Sequence, residues 1–205
     1  MCRIKNLMAL AAVTLTTPVY ALEITPIFGY RAGGDFIDEI NDKKHTINSA
    51  STFGIIITGD KYDGGKQFEV YYSHQDSELS SVTITGPTTS GISDIPLTID
   101  YLHFGGTAPI GTHDKMESFV SGGLGFTYLS PDFTGLQSDL RASLSIGIGL
   151  KYLFNENVAL RLETRGLATL YNNNSAIFCS GGCALKIDGN YFLQTEVFAG
   201  LAIKF

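Results

Sequence analysis

The 205-residue chain carries 14 Lys and Arg against 20 Asp and Glu, a formal net charge of −6, with 23 Gly and no Trp. An acidic balance of this size argues against nucleic acid as a partner, and the length suits one domain of sandwich or barrel type. No stretch stays apolar for the roughly 20 residues that a membrane-spanning helix needs.

Residues 1–21 have the three parts of a secretory leader: Arg3 and Lys5 at the front, an apolar run from Leu7 to Leu15, and Val19-Tyr20-Ala21 as a small-residue cleavage site. Cleavage after Ala21 is expected, leaving 22–205 as one domain. Cys2 lies at the front of the leader and Leu22 would be the new N-terminus, so acylation of the mature chain is not expected. The remainder holds 12 basic and 20 acidic residues, a net charge near −8.

Segments of about ten residues follow in which apolar side chains recur at every second position, the period of a strand. The first four run from Ile24 to Arg31, Thr52 to Thr58, Lys66 to Ser73 and Leu97 to Thr107; Ile27, Ile56 and Asp100 depart from strict alternation, where a bulge or strand end is expected. The fifth sets Val120, Gly122, Leu124, Phe126 and Tyr128 against Ser121, Gly123, Gly125 and Thr127. The sixth sets Leu140, Ala142, Leu144, Ile146, Ile148, Leu150 and Tyr152 against Arg141, Ser143, Ser145, Gly147, Gly149 and Lys151. The seventh puts Val158, Leu160, Leu162, Ala168 and Leu170 opposite Arg161, Glu163 and Arg165. The last alternates from Tyr191 through Val197, Leu201 and Ile203 to Phe205, with Gln194, Glu196 and Lys204 on its other face.

The intervening gaps alternate long and short: 33–49, 59–65, 75–96, 109–115, 130–138, 155–157 and 172–190. Long external loops and short periplasmic turns are the rule in outer-membrane barrels, and the short gaps hold turn formers such as Asp63-Gly64-Gly65 and Asn155-Glu156-Asn157. The expected fold is therefore all-β: an eight-stranded antiparallel up-and-down transmembrane β-barrel with both termini in the periplasm.

Orientation follows from charge. Arg141, Lys151, Arg161, Glu163, Arg165 and Glu196 share the face opposite the apolar one, and a basic residue at mid-bilayer facing lipid costs roughly 2–4 kcal/mol. These six are expected in the lumen as a salt-bridged network, joined by Arg31 and Glu69. The small residues on the same face, Ser121 to Gly125 and Ser143 to Gly149, suit the narrow interior of an eight-stranded barrel. Tyr30, Tyr72, Tyr128, Tyr152, Tyr171 and Tyr191 near strand ends are candidates for interfacial girdles.

The closing strand, with Tyr191, Val197, Leu201, Ile203 and terminal Phe205 on one face, resembles the C-terminal signal by which bacterial outer-membrane proteins are recognised for assembly. The mature chain resembles the small barrels of the OmpA, OmpX and OmpW kind. The stretches Ile24-Thr25-Pro26-Ile27-Phe28-Gly29-Tyr30-Arg31 and Tyr101-Leu102-His103-Phe104-Gly105-Gly106-Thr107 are similar to segments of that broad family. The resemblance implies outer-membrane localisation, delivery by periplasmic chaperones, insertion by the outer-membrane assembly machinery, and contact with outer-membrane lipid and lipopolysaccharide. It brings no catalytic residue, cofactor or metal.

Cys179-Ser180-Gly181-Gly182-Cys183 is read as a disulfide within the last external loop, because an exported chain meets an oxidising compartment and two glycines let it turn. Metal binding would want more ligands, and redox chemistry usually uses a two-residue spacing. His45, His74, His103 and His113 show no zinc-site spacing. Ser73-His74 is the one Ser/His neighbour pair, but adjacent strand residues point to opposite faces. The expected function is structural or surface interaction through four external loops, including the Ser/Thr/Gly-rich loop from Gln75 to Ile95. A narrow channel and a lipid A-modifying enzyme are the alternatives.

Overall fold

The computed structural model describes residues 22–38, 43–85, 90–132, 136–170, 176–177, 185–188 and 191–205. The expected leader at 1–21, Tyr171, and Cys179 with Cys183 lie outside these residues. The strands are β1 (Glu23–Gly33), β2 (Asp35–Asp38), β3 (Lys43–Thr46), β4 (Ala50–Thr58), β5 (Gln67–Thr85), β6 (Ser90–His113), β7 (Met116–Pro131), β8 (Asp139–Leu153), β9 (Val158–Leu170), β10 (Ala176–Ile177), β11 (Leu185–Asp188) and β12 (Tyr191–Lys204). Eight of them close a barrel in the order β1-β12-β9-β8-β7-β6-β5-β4, all antiparallel. Closure leaves no sheet edge within the barrel, so its backbone is paired without help from solvent. The four short strands form a second sheet, β10-β11-β2-β3, at one end.

The two ends differ. One carries both termini and the short reversals, among them the Asp63–Gly65 turn, where Gly64 and Gly65 take φ of 72° and 84°, and the two-residue turn Asp114–Lys115, where Asp114 takes φ of 50°. This is the terminal end; the opposite one is the loop end.

Two expectations are corrected here. The presumed loop from Gln75 to Ile95 is mostly strand: β5 and β6 stay paired from Gln67↔Thr107 out to Thr85↔Ser90, with a register shift between Leu79 and Val82. Gln75, Ser77 and Leu79 on one strand and Ile95, Leu97 and Ile99 on the other all turn inward and are buried, so the period of two continues beneath a Ser/Thr-rich composition. Nor is there a bulge at Ile27, Ile56 or Asp100; register runs unbroken through all three. Ile27 and Ile56 are apolar residues that fill the lumen, whereas Asp100 is held on the outer wall by hydrogen bonds from Tyr72 and His74.

The outward face of the barrel is apolar and exposed. On β8 it shows Leu140, Leu144, Ile146, Ile148, Leu150 and Tyr152, and on β12 Tyr191, Leu193, Val197, Leu201, Ile203 and Phe205. An exposed apolar band that encircles a closed barrel is the lipid face of a membrane-spanning one. Tyr30, Tyr72, Tyr128 and Tyr191 mark its loop-end margin, and Tyr152, packed edge-on against Phe154 at 5.3 Å, its terminal margin.

Candidate functional site

The lumen is occupied from one mouth to the other, in layers that follow from inward parity. At the terminal end a cup of about 270 Å³ opens between two ion pairs, Lys151 Nζ to Glu23 Oε1 at 2.6 Å and Lys61 Nζ to Glu117 Oε2 at 2.5 Å. Above it Phe119 closes the section, with the Arg161 guanidinium 4.8 Å from its ring centroid.

The next layer is a four-membered ring of charge. Arg161 binds Glu69 at 2.7 Å and Glu163 at 2.5 Å, and Arg165 binds the same two carboxylates at 2.7 and 2.6 Å. Ser121 donates a further hydrogen bond to Glu163 at 2.6 Å. All four charged side chains are almost wholly buried. Arg165 also stacks 4.1 Å from the Tyr71 centroid, which links this layer to the third. There Glu196 accepts from Arg31 Nη2 at 2.9 Å, Tyr71 Oη at 2.5 Å, Thr52 Oγ1 at 2.8 Å and Ser73 Oγ at 3.0 Å. Arg31 donates to Ser73 as well and lies 4.7 Å over the ring of Tyr101. Three arginines thus meet three glutamates, and these two layers are neutral. A buried charge is tolerated only when paired and hydrogen-bonded, and each of the six has at least one charged partner.

Glycines make the room. A Cβ on Gly147 would fall 2.5 Å from Ser121 Oγ and 2.7 Å from Glu163 Oε1, and one on Gly149 would fall 2.4 Å from the Phe119 ring. The bare backbone of β8 is what lets the Arg161 and Glu163 side chains of β9 lie across the interior.

Neutral hydrogen bonds follow toward the loop end: Tyr101 Oη to Gln194 at 2.9 Å, Thr127 to Thr169 at 2.9 Å, and His103 Nε2 to Ser143 at 2.8 Å. The last layer is apolar. Ile47, Leu79, Ile95, Leu97, Ile99, Leu129, Leu167 and Phe192, supplied in part by the inner face of the extended β5–β6 hairpin, are the loop-end part of a buried cluster that continues inward through Tyr101, Tyr71 and Phe198 to Ile27 and Ile56.

The structure places Lys151, Arg161, Glu163, Arg165 and Glu196 in the lumen, buried, together with Arg31 and Glu69. Arg141 has the inward parity but a different depth: it sits at the loop-end rim, bound to Asp139 two residues earlier at 2.5 Å. Sequence reasoning missed Glu23, Lys61 and Glu117 at the terminal end, and Tyr71, Thr52 and Ser121 as the carboxylates' neutral donors. Glu117 could have been found, since it shares parity with Phe119 and Ser121 on β7. Lys61 could not, because it lies on a turn. Among the described residues no group of three or more His, Cys, Asp or Glu could hold a metal.

Ser73 and His74 point to opposite walls. Ser73 is in the lumen on Glu196, and His74 is outside, between Asp100 at 2.8 Å and Asp76 at 3.3 Å. They form no nucleophile–base pair. Of the residues expected to form the assembly signal, Tyr191, Val197, Leu201 and Ile203 lie on the lipid face of β12, and Phe205, exposed, follows its end.

No protein-family model and no curated relative matches the sequence. Solved structures do. The Neisserial surface protein A aligns over 91% of this chain and 97% of its own at 14% identity, with a TM-score of 0.54. The attachment invasion locus protein Ail of Yersinia pestis, in complex with the heparin analogue sucrose octasulfate, aligns over 91% and 99% at 13% identity and 0.46. OprG of Pseudomonas aeruginosa aligns over 91% and 96% at 16% identity and 0.47. The first of these likenesses agrees with this chain in fold, and closure, strand count and the apolar outer band are the chain's own geometry: it is a closed, eight-stranded transmembrane β-barrel.

Proposed function

We propose that this chain sits in the bacterial outer membrane as a closed barrel and acts through its loop end, by surface interaction, and not by conduction or catalysis. The observation that carries the reading is the filled lumen, in which ion pairs, a neutral Arg/Glu network and an apolar plug succeed one another along the axis.

The distribution of charge supports it. The four connecting segments at the loop end, 34–49, 75–100, 130–141 and 171–190, hold eleven acidic residues against four basic ones, nearly the whole net charge of the mature chain. Asp76, Glu78 and Asp94 are exposed there. An acidic surface on a rigid scaffold attracts cationic partners and repels sulfated ones. The partner class inferred here is therefore a cationic protein or peptide surface. The lipid face of β12 is read as the assembly signal that the insertion machinery engages.

The test combines two measurements on protein refolded into vesicles. Planar-bilayer recording is expected to show no steady single-channel current. Labelled poly-lysine is expected to bind, heparin is not, and Asp76→Lys with Glu78→Lys and Asp94→Lys is expected to abolish poly-lysine binding. Sustained current, or poly-lysine binding unchanged in the triple variant, would overturn the proposal.

A further inference from the structure

The lipid face is not uniform. On the wall formed by β4, β5 and β6, Ile57, Val70 and Phe104 stand side by side in register, and Phe68 lies next in the row toward the terminal end, beside Gly106. Ile57, Phe68 and Phe104 project outward, while Val70 between them is half-buried. Gly59, whose amide donates to the Phe68 carbonyl at 2.9 Å, adds no side chain to that row. The outcome is a notch of about 430 Å³ whose lining takes in the outward Ile57, Phe68, Val70 and Phe104 together with the strand positions Glu69 and Gly105, the Glu69 carboxylate itself being held in the lumen by Arg161 and Arg165. Two aromatic rings form its flanks and a valine its floor.

We infer that this notch seats one acyl chain of a phospholipid from the leaflet at the terminal end of the barrel, as a bound lipid distinct from those that exchange freely around the band. Three observations point to that occupant. The notch is continuous with the apolar outer wall, so hydrocarbon is what reaches it. Its volume, at roughly 30 Å³ for each water-sized group, has room for on the order of a dozen methylenes. Its lower flank is at the right depth: Phe68 stacks at 4.9 Å on Tyr62, which lies beside the exposed Lys66–Asp63 pair of the rim turn. A tyrosine between an apolar wall and a charged rim marks the level at which headgroups give way to chains.

The test is retention of lipid. Protein refolded into vesicles of dipalmitoyl phosphatidylglycerol is extracted in mild detergent and weighed by native mass spectrometry. The wild type is expected to keep one phospholipid per barrel. Val70→Trp, which fills the floor of the notch and removes the packing contacts of a seated chain, is expected to lower the retained fraction severalfold. Ile148→Trp, on the β8 wall, is expected to retain lipid like the wild type, and heat-modifiable gel mobility confirms that both variants are folded. A wild type that retains no lipid, or retention that is equal in Val70→Trp and Ile148→Trp, overturns the inference.

Discussion

Glu163 is where the lumenal network is most exposed to a single change. Its carboxylate accepts from Arg161 at 2.5 and 2.9 Å, from Arg165 at 2.6 and 2.9 Å, and from Ser121 at 2.6 Å. Glu163→Gln keeps the shape and removes the charge, leaving two arginines to share Glu69. In electrostatic terms two attractions are lost and one repulsion, that between the two glutamates, is relieved, so the net loss is near one ion pair. At an effective dielectric of about 20, one pair at 4 Å is worth about 4 kcal/mol, consistent with the 3–5 kcal/mol that breaking a buried pair generally costs. We expect Glu163→Gln to lower unfolding free energy by about 3–5 kcal/mol in urea titrations of vesicle-embedded protein. Far-UV circular dichroism and gel mobility are the readouts, since the chain has no Trp. Adding Arg161→Met restores neutrality around the remaining Arg165–Glu69 pair and should recover at least about 2 kcal/mol relative to Glu163→Gln alone. A loss below about 1 kcal/mol for the single variant, or additive losses in the double one, would refute the argument that charge balance holds this interior together.

Further substitutions test other parts of the same account. Gly147→Val should destabilise by about 1–3 kcal/mol, because even its Cβ meets Ser121 and Glu163 at 2.5 and 2.7 Å, while Gly166→Ala, with its nearest neighbour at 3.7 Å, should stay within about 0.5 kcal/mol; urea midpoints separate the two. Ile146→Arg, at an outward position 69% exposed to the bilayer, should cost about 2–4 kcal/mol in vesicles. Truncating the plug with Leu97→Ala and Leu129→Ala together should reduce stability by about 2–5 kcal/mol for each site, read from the same titrations.

Alternation told which face a residue occupies, and for β8, β9 and β12 it was enough to orient the barrel. It is silent on depth. Arg141 and Arg161 have the same inward parity, yet one binds Asp139 at the rim and the other sits in the middle of the lumen. Depth is set by register across strands: Glu69 and Arg161, 92 residues apart, meet because β5 and β9 place them at one level. The β5–β6 extension was hidden for another reason. Its inward positions include Gln75 and Ser77, which read as loop by composition, and only the inward Leu79, Ile95, Leu97 and Ile99 betray a continuing strand pair. Tyr71 and Thr52 were missed because neutral donors leave no charge to pattern, although each is needed to satisfy Glu196.

The same extension ties the fold to the proposed role. In this barrel Arg161, Arg165 and their glutamates already fill the middle of the lumen, so the apolar plug is not required merely to block a pore. What the plug adds is an anchor for the hairpin. Leu79, Ile95, Leu97 and Ile99 are buried on its inner face, which fixes Asp76, Glu78 and Asp94 outward at the loop end. Burying four such side chains contributes roughly 1.5–3 kcal/mol each relative to leaving them in water, which offsets part of the ordering entropy of the hairpin. A protein that needed only to span the membrane would gain little from it. On the reading proposed above, the paired hairpin presents the exposed Asp76, Glu78 and Asp94 at the loop end, and this is the physical reason to look for its partner among cationic surfaces.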